Sequence, residues 1–338
     1  MVRTIGDGSG PIERKVQVTG GSTYTVSIPK AWANAREIDS GSPVHLYPFA
    51  DRLVVAQPNG NRPSHRAVVN VDTVGESGLT ERIEAAYAAG VDEIVVESDT
   101  GFDSGRRRLA NDAVTGLVGT EIETETDHEI VAKSLLDPAE ISLEGTIDQL
   151  RQISLSMHES AVTAVIDPDS SEMTEHVISR DDDVDRLFAL VSRQFYRALT
   201  DVRQIDKLRT DRRVAFTQFR TARQLERIAD HAERIAEISV RQDGPPSPGI
   251  GDSFESVSAD ARRVVRAALD GNTGEALLRR EDVLEALDEL DRELYEDPGD
   301  DGYLYGRVLE SVRRTAEYGG NIAEIVTLSD IAATTTNG

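Results

Sequence analysis

Leu225-Glu226-Arg227-Ile228-Ala229-Asp230-His231-Ala232-Glu233-Arg234-Ile235-Ala236-Glu237 sets the architecture of this chain. Leu225, Ile228, Ala232 and Ile235 recur at spacings of three, four and three, the apolar seam of a helix packed on other helices. The pattern returns in Thr315-Ala316-Glu317-Tyr318-Gly319-Gly320-Asn321-Ile322-Ala323-Glu324, and both segments hold Ile-Ala-Glu at the same distance from an acid. Arg180-Asp181-Asp182-Asp183-Val184 is likewise echoed by Arg280-Glu281-Asp282-Val283. An internal repeat constrains architecture before any single element does.

Outward from that segment, everything after about residue 137 reads as helix. Three long helices are predicted at 139–165, 170–201 and 211–240, and three more at 253–270, 273–296 and 302–331. Arg241-Gln242-Asp243-Gly244-Pro245-Pro246-Ser247-Pro248-Gly249-Ile250-Gly251 separates the triplets and is a linker by composition. Asp167-Pro168, Asp206-Lys207, Asp270-Gly271-Asn272 and Asp297 to Gly302 supply turns. The prediction is two three-helix repeats, 138–240 and 253–331, packed together.

Upstream, residues 65–135 read β-α-β-α-β-β, a small α/β domain. Its strands fall at Arg66–Val71 and Asp92–Glu97, and its helices at Leu79–Gly90 and about Asp103–Leu117. A closing hairpin turns at Asp127-His128. No chemistry is recognisable in this segment.

Residues 11–60 alternate as strands do. Arg14 to Pro29 predicts two strands around Gly20-Gly21, and Lys30 to Arg36 a short helix entered through Pro29. Ile38 to Leu46 leads into a third strand; Arg52-Leu53-Val54-Val55 is a fourth, after a turn at Ala50-Asp51. A segment of about 45 residues cannot bury a core of its own, and short strands leave open edges. The expected remedy is an intertwined homodimer closing one barrel, with Trp32 plugging it. The spacing Gly20-x-x-x-x-x-Val26-x-Ile28-Pro29-Lys30, then Ile38-x-x-Gly41-x-x-Val44, resembles the swapped-hairpin barrel of the AbrB and MazE family. That resemblance implies dimeric DNA binding; the residues alone also allow dimerisation only, or the grip of a protein partner.

Charge bears on the choice. The 338 residues hold 61 acids against 37 basic residues, for a formal charge of −24, and such a chain is repelled by nucleic acid over most of its surface. Residues 1–60 depart from this, with six cations against five acids. Arg14, Lys15, Lys30, Arg36 and Arg52 are the candidate DNA-binding residues, brought onto one face by dimer symmetry and set to replace counterions on phosphate. Only four of the basic residues are Lys. Many acids and few lysines suit a cytoplasm rich in salt, where repulsion is screened, and the chain is expected to be halophilic. In such salt counterion release contributes little, so base-edge or shape contacts carry more of the binding.

The chain has no Cys, which excludes disulfides and thiol chemistry. Its start lacks the apolar stretch of a signal peptide, and no apolar run approaches the roughly 18–20 residues of a membrane span. A cytoplasmic protein without membrane insertion is expected. No phosphate-binding loop, nucleophile elbow or zinc-protease motif occurs; Gly6-Asp7-Gly8-Ser9-Gly10 lies in a loose tail. No enzymatic activity is expected.

The acids of the helical region suggest a cation. Glu226 and Asp230 stand four apart, so their carboxylates leave one helical face within about 6 Å. Their repulsion is relieved by a hard or borderline divalent cation. Asp182 and Asp185 on the preceding helix complete the candidate ligand set. The other reading of these residues is a solvated acidic face, the common case in a salt-adapted chain. His231 follows Asp230 but points about 100° away round the helix, and a packing role is expected of it.

The segment 225–237 resembles the Leu-Glu-Arg-Ile-Gly-Asp-His signature of the PhoU family, and the resemblance extends over roughly 139–331. It implies surface metal sites, here a divalent or iron-type ion at the first repeat, and a part in phosphate-responsive control. Gln224 stands where that family often has a second acid, and Arg313 occupies the position equivalent to Glu226. The second site is therefore expected to be degenerate. Together the resemblances imply a phosphate-responsive transcriptional regulator with DNA and a second copy of itself as partners. Components of a phosphate ABC transporter or a signalling kinase are further partners. The alternative is a PhoU-type adaptor that restrains a transporter by protein contacts, its barrel serving dimerisation only.

Overall fold

The computed structural model describes residues 12–49, 52–57, 65–167, 171–208, 210–296 and 299–335. The tail read at 1–10, the turn at Ala50-Asp51 and Pro168 lie outside them. The chain divides into two compact units, Met1–Pro63 and Ser64–Gly338.

The first unit holds β1 (Gln17–Thr19), β2 (Thr23–Thr25), α1 (Lys30–Asn34), β3 (His45–Pro48) and β4 (Leu53–Ala56). β1 and β2 pair antiparallel with Val18 opposite Tyr24. Gly20 and Gly21 make the turn at φ 67 and 83, a left-handed pair that glycine adopts without a Cβ clash. β3 and β4 form a second antiparallel hairpin. The hairpins remain separate two-stranded sheets, and among the described residues one chain closes no barrel. No described residue of this unit is buried. Val18 is 64% and Tyr24 76% exposed, and Val16, Val26, Leu46 and Leu53 are open as well.

The second unit begins with β5 (Arg66–Asn70), α2 (Glu76–Ala88), β6 (Glu93–Glu97), α3 (Ser104–Thr115), β7 (Thr120–Glu125) and β8 (Glu129–Ser134). This is the order read from the sequence. The sheet runs β5-β6-β8-β7, with β5 and β6 parallel and the other pairs antiparallel. Leu79, Ile83 and Tyr87 of α2 and Ala110 and Val114 of α3 pack with Ile94, Val96, Ile130 and Ala132 of the sheet. Asp103 caps α3, its carboxylate accepting from the Gly105 and Arg106 amides.

Six long helices follow: α4 (Leu143–Ile166), α5 (Ser171–Thr200), α7 (Arg212–Ser239), α8 (Pro248–Leu269), α9 (Thr273–Glu296) and α10 (Gly302–Thr335). A short helix, α6 (Val202–Lys207), occupies what the sequence reads as a turn. Asp201 caps it, and Val202 and Ile205 are buried. α8 starts at Pro248, inside the predicted linker, because a proline at the first helical position loses no hydrogen bond. The seam Leu225, Ile228, Ala232 and Ile235 is fully buried. α7 lies among α4, α5 and α10, and α10 among α7, α8 and α9.

α7 meets α10 through positions that the sequence reads as equivalent. His231 and Tyr318, equivalent in the two copies, stand 5.7 Å apart between ring centroids. The Asn321 Nδ2 donates to Gln224 Oε1 at 3.0 Å. The α/β layer is pinned to the first repeat by two arginines of α5. Arg193, fully buried, donates to the Tyr87 carbonyl at 2.9 Å and lies over the Tyr87 ring. Arg197 pairs with Asp92 at 3.1 Å. No helix of the described residues is long and apolar enough to cross a membrane.

Candidate metal centre

Asp181 and Asp185 lie one turn apart on α5, so they share a face. Packing of α5 on α7 sets Asp230 opposite them, and one oxygen from each of the three lies within 4.8 Å of the others. Three hard oxygen donors at this spacing suit a cation such as Mg²⁺, Mn²⁺ or Ca²⁺. No other group of three such ligands occurs among the described residues.

The electrostatics are those of crowded carboxylates that nearby arginines offset only in part. Asp181 is pushed up to about 7, first by burial and then by the charges of Asp185, Glu233, Asp230 and Asp182. Asp185 moves up through the surrounding protein, Asp230 and Asp182, with Arg223 opposing. Asp230 is raised by burial against the pull of Arg234, Arg223 and Arg227. Glu226 is pushed up to about 7 by burial and Asp230. Each shift favours the neutral acid, as burial and like charges do.

Of the ligand set read from sequence, the structure gathers Asp185 and Asp230. Glu226 is buried one turn before Asp230; its Oε1 accepts from Arg223 Nη1 at 2.7 Å, and its Oε2 has no hydrogen-bond partner. Asp182 is exposed beside the cluster and acts on it through charge. Asp181 is absent from the ligand set read from sequence; its four-residue spacing to Asp185 is the signal that finds it. His231 turns away into the α7–α10 contact, near Ser311 Oγ at 3.3 Å and Tyr318 Oη at 3.4 Å. Burial and the charges of Arg234 and Arg314 pull it down to about 4.

In the second repeat, cations take the acids. Arg313 pairs with Asp288 at 2.6 Å, and Arg314 bridges Glu310 at 2.9 Å and Glu317 at 2.8 Å. Arg314 is thus the neutralising partner of Glu317.

The candidate DNA-binding residues Arg14, Lys15, Lys30, Arg36 and Arg52 are all exposed in the first unit. Arg36 lies over the Trp32 ring at 4.9 Å and Arg52 over the Phe49 ring at 5.5 Å. In the single chain Trp32 is partly exposed.

Residues 147–239 match the family model described as the PhoU domain. That span runs from α4 to the end of α7 and contains the acid cluster. No curated protein matches the chain. Among solved structures, PhoU from Pseudomonas aeruginosa is 19% identical with a TM-score of 0.46, over 56% of this chain and 96% of its own. The phosphate transport system regulatory protein PhoU from Streptococcus pneumoniae is 20% identical with a TM-score of 0.45, over 56% of this chain and 93% of its own.

Proposed function

We propose that this protein is a phosphate-responsive transcriptional regulator of a salt-rich cytoplasm. Residues 11–60 form its dimeric DNA-binding domain, 65–135 a middle domain, and the repeats at 138–240 and 253–331 receive the signal. The phosphate role rests on the PhoU domain match, which covers the first three-helix repeat. The observation that carries the rest is the bare apolar surface of the first unit. No described residue there is buried, and a fold without a core is stable only when another surface covers it. A second copy supplies that surface, and the dimer doubles Arg14, Lys15, Lys30, Arg36 and Arg52. Asp181, Asp185 and Asp230, with Glu226 and Asp182 beside them, hold a divalent or iron-type ion. Through that site the chain contacts a transporter component or a kinase. A signal alters DNA binding when it favours one of two dimer geometries.

The second reading is an adaptor that restrains a phosphate transporter through protein contacts, its first unit serving dimerisation alone. The charge of −24 favours it, since DNA repels such a surface. A gel shift in molar KCl against the chain's own upstream region and phosphate-transporter promoters separates the two. Binding that is lost in Lys30→Ala with the dimer intact supports the regulator. No shift with any genomic fragment supports the adaptor. The metal is tested by elemental analysis of the wild type against Asp181→Asn/Asp230→Asn and Glu226→Gln/Asp230→Asn; equal metal content in all three removes the site.

A further inference from the structure

α2 and α3 of the α/β layer face α5 and α7 across a cleft of about 640 Å³. That is the size of a small-molecule site and many times what one ion occupies. Glu81, Glu84, Asp112, Asp182, Asp185 and Glu226 line it, against two cations, Arg186 and Arg223. Arg223 is already committed to Glu226 Oε1 and lies over the Phe188 ring at 5.2 Å. Glu84 is raised by burial, then by the charges of Asp185, Glu81 and Asp182, so acids of the two layers confront one another across the gap. Between them the lining is apolar, from Leu109, Leu117, Phe188 and several alanines.

Two further lining atoms point to an occupant. Ser192 is 3% and Glu226 8% exposed. The Ser192 Oγ and Glu226 Oε2 are buried without a hydrogen-bond partner, a state that costs free energy until a donor arrives. When ionised, the Glu226 carboxyl accepts, and a hydroxyl accepts readily, so a cationic N–H donor satisfies both atoms and favours the ionised acid. The excess of carboxylates asks that it be positive, and the apolar lining asks for methylenes beside the charge.

We propose that this cleft binds an aliphatic polyamine. One ammonium donates to Glu226 Oε2 and Ser192 Oγ, the methylenes lie on the Leu109, Leu117 and Phe188 surface, and a second ammonium meets Glu84. The ligand touches both layers and ties the α/β layer to the first repeat. Asp181 and Asp230 do not line the cleft, whereas Asp185 and Glu226 do and stand at or beside the acid cluster as well, so removing Asp181 and Asp230 strips the metal site while leaving the amine contacts in place.

The test is titration calorimetry of the full chain with spermidine and, separately, with Mg²⁺, in KCl high enough to screen loose ion pairing. Spermidine is expected to bind one site, and Glu84→Gln and Ser192→Ala each to weaken it about tenfold, one charge-assisted contact's worth. Asp181→Asn/Asp230→Asn is expected to weaken spermidine less than Glu84→Gln does, through lost long-range charge alone, while reducing Mg²⁺ binding; loss of Mg²⁺ binding alone would bear on the metal reading. Circular dichroism and Tm confirm that each variant is folded. The proposal is overturned if spermidine does not bind, if it binds Glu84→Gln and Ser192→Ala as tightly as the wild type, or if Asp181→Asn/Asp230→Asn abolishes its binding.

Discussion

Asp181 shows what one residue takes from its surroundings. Its carboxyl is pushed up to about 7, as is that of Glu226, whereas in the unfolded chain such groups titrate near about 4. The folded protein therefore retains protons that the unfolded chain releases. The contribution to stability is full below about pH 4 and is lost as pH rises through about 7. Metal-free protein is expected to lose stability between about pH 4 and pH 7, and Asp181→Asn to recover on the order of 1 kcal/mol at pH 8. A divalent cation should do the same for the wild type, since it replaces the protons. Tm against pH, with chelator and with Mn²⁺, checks this; a chelated wild type and Asp181→Asn with parallel profiles would contradict it. Sequence alone found the one-turn pair Glu226/Asp230, because spacing on a helix is local, but it took Asp182 with Asp185 and passed over Asp181, which the same spacing offers. Which members converge, and that Arg223 occupies one oxygen of Glu226, depends on how α5 lies on α7.

At the scale of elements, the period of apolar residues and the Gly, Pro and Asp breakers located all six long helices and the β-α-β-α-β-β layer. α6 escaped because six residues carry no periodic signal; it exists through the Asp201 cap and the burial of Val202 and Ile205. Close packing of α10 was equally hidden. A Cβ on Gly319 would meet Val264 Cγ1 at 2.8 Å and the Val265 backbone nitrogen at 3.0 Å. A Cβ on the adjacent Gly320 meets only the Arg280 side chain, at 2.6 Å, and that chain can swing aside. Gly319→Ala is expected to cost about 1–3 kcal/mol. Gly320→Ala should cost less than about 1 kcal/mol, helped by the better helix propensity of Ala. Urea denaturation of the two variants checks the order; equal losses would mean that α10 does not approach α8 as described.

For the whole molecule, two expectations follow from what covers what. Val18 and Tyr24 form an open cross-strand pair in the first unit. Val18→Asp is expected to convert a dimer into a monomer in sedimentation equilibrium and to abolish any DNA shift at the same time. A Val18→Asp protein that remains dimeric would place the dimer contact elsewhere. In the second unit, Arg193 is the largest fully buried side chain and holds the Tyr87 carbonyl. Arg193→Ala is expected to cost about 3 kcal/mol, from a lost hydrogen bond to the Tyr87 carbonyl, which keeps the Gly90 amide, and a cavity beside Tyr87. Calorimetry should then show the α/β layer melting ahead of the helices. A single unshifted transition would mean that the layer is held by other contacts.

The amino-acid order by itself determined the long helices and the strands and helices of the α/β layer, because helix and strand periods and turn residues are properties of neighbours along the chain. It also marked the acids that can share a helical face. Only the tertiary structure decided which acids meet, where the arginines of α5 go, and that two buried polar atoms line a cleft between layers. Those facts depend on contacts between residues far apart in sequence, and charge, burial and hydrogen bonding act through distance in space.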